Sequence, residues 1–232
     1  QLNIRVLEKT KPTATIISPT QGSVLGSATQ DIVMELQDAG GSGLNMASVV
    51  FKLNNQQISS GLSWTDGADG KKTCTYHATG LSDGSNSISL QVTDNDGNAS
   101  DAAEVTFVIS TSAPTLNITS PADNLLTNSN QVTVSGSAAA GSDAVTLSKV
   151  TVNGEEVSIG SGGSFTTQVT LTEGDNTITI IAEDSIGKTT TVTRHVTLDT
   201  QAPVISDVEA EATTVDANGT IHLTFKVTDP AD

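Results

Sequence analysis

Residues 82–98 read SDGSNSISLQVTDNDGN, and residues 172–188 read TEGDNTITIIAEDSIGK. Aligned, they set Asn86 on Asn176, Asp94 on Asp184 and Gly97 on Gly187. Apolar and polar residues alternate in both, with Ile88, Leu90 and Val92 in the first and Ile178, Ile180 and Ala182 in the second. A period of two puts every second side chain on one face of an extended strand. Each stretch therefore reads as a half-buried β-strand that runs into a turn carrying Asp and Gly.

The likeness extends on both sides. PTATIISP (Pro12–Pro19) returns as PTLNITSP (Pro114–Pro121), and KLNNQQI (Lys52–Ile58) returns as TVNGEEV (Thr151–Val157). Three blocks in one order, at an offset that shrinks along the chain, mean two copies with loop deletions in the second. Each copy has about 90 to 100 residues, the size of one immunoglobulin-type sandwich. A third copy starts at Ala202 and Pro203, where LTFKVTD (Leu223–Asp229) repeats the pattern of VMELQD (Val33–Asp38). The expected organisation is the end of a preceding repeat or linker at 1–10 and a first domain at 11–111. A second domain follows at 112–199, and the start of a truncated third at 200–232. The boundaries fall at TSAP and DTQAP, where Pro resists continuing a strand ladder. Gln1 lies inside a strand-like run, LNIRVLE, so the chain reads as a fragment of something longer.

In the second copy, strands are expected near Thr115–Ser120, Gln131–Ala138, Ser148–Val152, Glu156–Ile159, Ser164–Leu171, Asn176–Asp184 and Thr189–Leu198. Asn153–Gly154 between two of them is a strong hairpin signal, because both central residues must tolerate positive φ. In the first copy, Ile88, Leu90 and Val92 are expected to point inward opposite Val105, Phe107 and Ile109. One register is untidy: Arg194 interrupts the face shared by Val192, Val196 and Leu198, which a bulge or an exposed sheet edge would resolve. No helical period is sustained anywhere. The fold class is all-β, as tandem immunoglobulin-like antiparallel β-sandwiches.

Composition narrows the function. A net charge of −16 opposes binding to nucleic acid or anionic membrane, both of which need basic patches. No run of apolar residues is long enough for a helical membrane span. Cys74 is the single cysteine, which excludes an intrachain disulfide. Set among KTCTYHAT, it reads as a small buried hydrophobe. His77, His195 and His222 are scattered, and neither a G-x-S-x-G, an H-E-x-x-H nor a P-loop occurs. The chain reads as non-catalytic.

PTLNITSPADNLLTNSNQVTVSGS, VTVNGEEV, SFTTQVTLTEGDNTITIIAEDSIGKTTT and LDTQAP together resemble the bacterial Ig-like repeats of surface adhesins and secreted polysaccharide hydrolases. The accessory domain beside the catalytic module of glucodextranase is one such relative. The resemblance covers the second copy nearly end to end. It extends more loosely to the first through LSDG, VTDNDGN and DAGGSGL. It implies a secreted or cell-surface modular protein with sandwiches of seven to nine strands, whose expected partners are neighbouring repeats, with a host or polysaccharide ligand as a further candidate. It does not imply a particular ligand, since this fold hosts many functions. Lys188 stands where the family usually has Asn after Gly.

Calcium is the candidate cofactor. The loop at Asp38 and the hairpin carrying Asp94, Asp96 and Asn98 should meet at one end of the first sandwich, offering hard oxygen ligands. The competing reading is that Asp, Asn and Gly are what turns require. A second candidate lies after the second copy, where Asp199 in the linker should approach Asp229 and Asp232, with Glu173 and Asp175 pointing the same way. Calcium-stiffened adhesins are similar in placing Asp at such linkers. The TSAP linker has no acid, so metal stiffening is expected to be uneven along the chain. Trp64, in the polar stretch SWTDGADGKK, is the candidate carbohydrate contact. The competing reading is that it covers an edge of the core. Lys149 and Lys52 are weak candidates for an isopeptide, and the sequons at Asn98, Asn117 and Asn218 read as chance.

Overall fold

The computed structural model describes residues 6–229. The run expected at Gln1–Glu8 lies largely outside these residues, and Asp232 lies wholly outside them. Val6–Lys11 are irregular up to the first strand.

The first copy contains β1 (Thr13–Ser18), β2 (Val24–Leu25), β3 (Gln30–Gln37), β4 (Leu44–Leu53) and β5 (Gln56–Ile58). It continues with β6 (Trp64–Asp66), β7 (Lys72–Ala78), β8 (Gly84–Asp94) and β9 (Ala103–Ile109). One sheet has the order β1-β3-β7-β6 and the other β2-β9-β8-β4-β5. Along β8 the buried residues are Asn86, Ile88, Leu90, Val92 and Asp94, the alternation read from the sequence. Ile88, Leu90 and Val92 pack with Ile32, Met34, Leu36, Phe51, Phe107 and Ile109 in one core. Val105 is only half-buried.

The second copy contains β10 (Thr115–Ser120), β11 (Leu125–Thr127), β12 (Gln131–Ala139) and β13 (Leu147–Val152). Then come β14 (Glu155–Val157), β15 (Ser164–Thr170), β16 (Gly174–Asp184) and β17 (Thr189–Leu198). Its sheets run β10-β12-β15 and β11-β17-β16-β13-β14. A separate core gathers Val134, Val150, Phe165, Ile178, Ile180, Ala182 and Val196. Asn153 and Gly154 have φ of 50° and 88° between β13 and β14, the left-handed pair that a tight hairpin needs. The last two strands, β18 (Val204–Ala210) and β19 (Leu223–Thr228), form a two-stranded ribbon. By compactness the chain divides into two units, one holding the first two sheets together with Ala140–Thr146 and Asp184–Lys188, and the other holding the rest. Among the described residues no helix is long and apolar enough to cross a membrane.

Two features depart from the expected strand list. β2 and β11, of two and three residues, run parallel to β9 and β17. So short a strand shows no period, and it exists because the chain crosses to the opposite sheet after Pro19 or Pro121. Arg194 is explained without a bulge, since β16 and β17 pair in unbroken register. β11 meets only Val196–Leu198, leaving Arg194 on the free edge of β17. There its Nε donates to the Pro121 carbonyl at 3.2 Å, so the half-buried guanidinium has a partner.

Gly136 sits in β12 between Ile118 and Phe165. A Cβ there would lie 2.3 Å from the Asn117 carbonyl oxygen and 2.9 Å from Phe165 Cζ. Gly136→Ala is expected to lower the stability of the second sandwich by about 1–3 kcal/mol, the range for forcing one carbon into a packed site. Thermal unfolding checks this, with the first sandwich as internal reference.

Candidate metal centre

Two turns and one incoming segment build the site. Asp94 ends β8 and is 1% exposed. Its Oδ1 accepts the backbone N–H groups of Asp96 (2.9 Å) and Asn98 (2.8 Å), while Oδ2 accepts from Asn98 Nδ2 at 2.7 Å. Burial pushes its carboxyl upward, but these bonds and the Gly97 amide outweigh burial and hold it below the ordinary 3.8. The group therefore adds stability above its unfolded value, and that stability is lost as pH falls through the lowered folded value.

Asp38 follows β3. Its Oδ1 accepts Gly40 N–H at 2.9 Å and its Oδ2 accepts Gly43 N–H at 2.6 Å, which folds DAGGSG back over its own carboxylate. Asn95 then joins this loop to the hairpin: its N–H donates to the Gly43 carbonyl and its Nδ2 to the Ser42 carbonyl, both at 2.9 Å. The third component is Glu8. Its N–H donates to Asp96 Oδ2 at 2.9 Å, its carbonyl accepts Asn98 Nδ2 at 3.2 Å, and its Oε1 accepts Ser42 N–H at 3.1 Å. The carboxylate lies over Gly40, where a Cβ would come within 1.7 Å of Oε2. Gly40 is the residue type this approach requires.

One oxygen from each of Glu8, Asp38 and Asp94 lies within 4.8 Å of the other two. Calcium takes oxygen ligands at ~2.3–2.6 Å, so two ligands across one ion are separated by about 5 Å or less. The spacing fits a single calcium sphere. The donor set is oxygen alone, and each carboxylate keeps lone pairs beyond those its turn uses. Ser42 Oγ, on the same loop, is buried without a hydrogen-bond partner.

The structure thus brings Asp38 and Asp94 together. It sets Asp96 beside them, holding the Glu8 amide. Asp199 Oδ1 instead accepts Gln201 N–H at 2.9 Å. Glu173 is taken up by Thr200, and Asp175 by the Thr197 hydroxyl. Asp229 follows β19, and among the described residues neither it nor Asp199 belongs to a group of three acids with ligand spacing. Trp64 is half-buried on edge strand β6, packed against the first core. Lys149 pairs with Glu183 at 3.1 Å with both side chains partly exposed.

Glu8 was not singled out from the sequence, although the repeat contains its signal. It stands four residues before Pro12, as Ser110 stands before Pro114 and Asp199 before Pro203. The residue after β3, β12 and β19 is Asp38, Ala140 and Asp229 in turn. The first copy therefore has three acids where the second has Ser110, Ala140 and Asp184. At those positions in the second copy, Ser110 Oγ shares a hydrogen bond with Ser142 Oγ at 2.7 Å. The third copy opens with acids at both of its equivalent positions.

Residues 114–200 match the family described as glucodextranase, domain B. That span takes in β10 to β17, in agreement with the resemblance seen in the sequence. Bacillopeptidase F of Bacillus subtilis (strain 168) is 27% identical over 160 residues, which are 68% of this chain and 11% of that protein. Among solved structures, the fibronectin(III)-like modules of Clostridium thermocellum CbhA align over 80% of this chain and 94% of theirs. They show 21% identity and a TM-score of 0.44. The Escherichia coli adhesin FdeC aligns over 99% of this chain and 77% of its own, with 16% identity and a TM-score of 0.30.

Proposed function

We propose that this chain is a run of non-catalytic spacer modules in a large secreted or surface-attached bacterial protein. Repetition carries the reading. Ala14 faces Leu36 in β1–β3 and Leu116 faces Ala138 in β10–β12, each pairing shifting register before the terminal serine of its first strand. Each copy closes its own core, so length can grow by adding copies without redesigning any of them. The match to an accessory-domain family, and a relative of which this chain spans only 11%, support placement inside a longer extracellular protein.

The alternative is a sugar-binding accessory module, for which Trp64 would have to present an open face. Its packing on the core favours the spacer. In sedimentation assays with cellulose, starch, dextran and xylan, the chain is expected to stay in the supernatant. Trp64→Ala should leave that unchanged while lowering the first sandwich's melting temperature by a few degrees. Retention on one polysaccharide that Trp64→Ala abolishes would replace the spacer reading with the alternative.

A second element rests on the three acids. Glu8, Asp38 and Asp94 hold calcium, tying the segment that enters the first sandwich to the two turns beneath it. Calcium then stiffens the chain at that point, and the second copy, lacking two of the acids, does not respond.

A further inference from the structure

Every sandwich sheet ends in an edge strand, and among the described residues all but one of these strands are guarded. β2, β5, β6, β11 and β14 are at most three residues long. β1 and β10 shift register before their terminal serine, and a proline follows each. Short length, broken register and proline are what keep an edge from accepting another chain. β15 has none of them. It runs Ser164–Thr170 as SFTTQVT, without a charge or a proline, and pairs with β12 in unbroken register. Its counterpart β7 carries β6 on the outer side. The segment that supplies β6 spans residues 59–71 in the first copy, and its equivalent in the second is only 158–163. The open edge thus comes from a loop deletion inside the second copy, with chain present on both sides of it.

On the outer side, the Ser164 carbonyl accepts Gly160 N–H at 2.7 Å, whereas Leu171 N–H donates inward to the Asn130 carbonyl at 2.9 Å. Backbone groups alternate in direction along a strand. Thr166, Gln168 and Thr170 therefore turn their N–H and C=O groups outward, where no strand of the sheet meets them. Two clefts run beside this edge. One of about 220 Å³ is lined by Val157 and Val169 together with Glu155 and Glu156. The other, of about 410 Å³, is lined by Ile159 and Phe165. Ile159 is a large apolar side chain left 36% exposed there.

We propose that β15 accepts an added antiparallel strand from a partner protein, an extended segment in which apolar residues alternate with Lys or Arg. Strand addition takes affinity from main-chain hydrogen bonds and specificity from pockets for alternate side chains. The first copy supplies the template. There β6 pairs antiparallel with β7 and sets Trp64 opposite Cys74, packed on the core. A strand added to β15 takes the same place, with its apolar side chains over Val169, Phe165 and Ile159. Charge selects the rest. Glu155 and Glu156 are exposed on the cleft wall of a chain with net charge −16, which favours a basic segment over an acidic one. A second copy of this chain would bring the same acids to the edge, so it is the disfavoured occupant.

Titration of the whole chain with a fluorescent, end-capped peptide of sequence K-F-K-V-K-V-K tests this. Saturable binding is expected, at least about tenfold tighter than for E-F-E-V-E-V-E or for K-K-K-K-F-V-V, which keeps the charge without the alternation. At saturation, amide exchange at Thr166, Gln168 and Thr170 should slow, because their N–H groups gain partners. Gln168→Pro removes one outward N–H and leaves the ladder to β12 intact, a change that edge strands tolerate. It should weaken binding at least about tenfold with the second sandwich's melting little changed. Glu155→Lys combined with Glu156→Lys should reverse the preference between the basic and acidic peptides, and it decides the matter if Gln168→Pro proves unstable. Absence of saturable binding, equal binding of the clustered basic peptide, or a preference untouched by the charge reversal overturns the proposal. So does self-association of the chain that Gln168→Pro abolishes, which would give the edge to a second copy.

Discussion

Calcium at a hundredfold excess over its dissociation constant is expected to stabilise the first sandwich by ~2.7 kcal/mol, through binding the folded state alone. For a domain of this size that is about 10–20 °C in melting temperature. The second sandwich is the control within the same molecule, because Ser110 and Ala140 replace two of the three acids and its transition should not move. In chelator, three carboxylates held within 4.8 Å repel one another, so the first sandwich should melt earlier at low salt and recover partly as salt screens them. Glu8→Gln removes one ligand but keeps the shape of the side chain. It should abolish most of the calcium shift and raise the melting temperature in chelator. Acid should erase the calcium shift as well, since ligands must be deprotonated, and the Asp94 carboxyl, held below 3.8, should be among the last to protonate. Magnesium demands tighter octahedral geometry and sheds water reluctantly, so its effect should be smaller at equal concentration. Superimposable melting curves in calcium and chelator would end the metal reading while leaving the spacer reading intact.

What the sequence made legible follows from the length of each signal. β8 and β16 have eleven residues each, enough for five alternations, and their buried faces were readable directly. β2 and β11 are too short to show a period, and they exist only in relation to β9 and β17. Arg194 looked like an error of register because the sequence cannot show that β17 has a free edge beside the Pro121 carbonyl. The site divided in the same way. Asp38 and Asp94 announced themselves through turn composition, and the geometry of a sandwich end implied that they meet. Glu8 lies in no turn motif, in a segment outside the copy it serves. Only superposing the three Pro-marked linkers would have found it. Asp199 and Asp229, which drew notice as acids at a linker and a nearby loop, repeat the positions of Glu8 and Asp38.

The hairpins after β8 and β16 differ by one decisive atom. In both, the Asp Oδ1 accepts two backbone N–H groups: Asp96 and Asn98 in the first copy, Ile186 (3.0 Å) and Lys188 (2.8 Å) in the second. In the first copy Oδ2 is satisfied by the Asn98 amide. In the second, Lys188 occupies that position, and Asp184 Oδ2 is buried with no hydrogen-bond partner in a residue 1% exposed. An unsatisfied buried acceptor costs more than a made bond returns. Lys188→Asn is therefore expected to stabilise the second sandwich by about 1–2 kcal/mol, a gain from a surface-turn substitution that enlarges no core contact. The reciprocal change, Asn98→Lys, should lower the first sandwich's melting temperature by several degrees, because it strips Oδ2 of its donor and also breaks the bond to the Glu8 carbonyl. Urea unfolding of each variant, read separately for the two sandwiches, measures both. If Lys188→Asn leaves the second transition where it was, then Oδ2 is already satisfied in solution, and the difference between the two hairpins is one of sequence without energetic consequence.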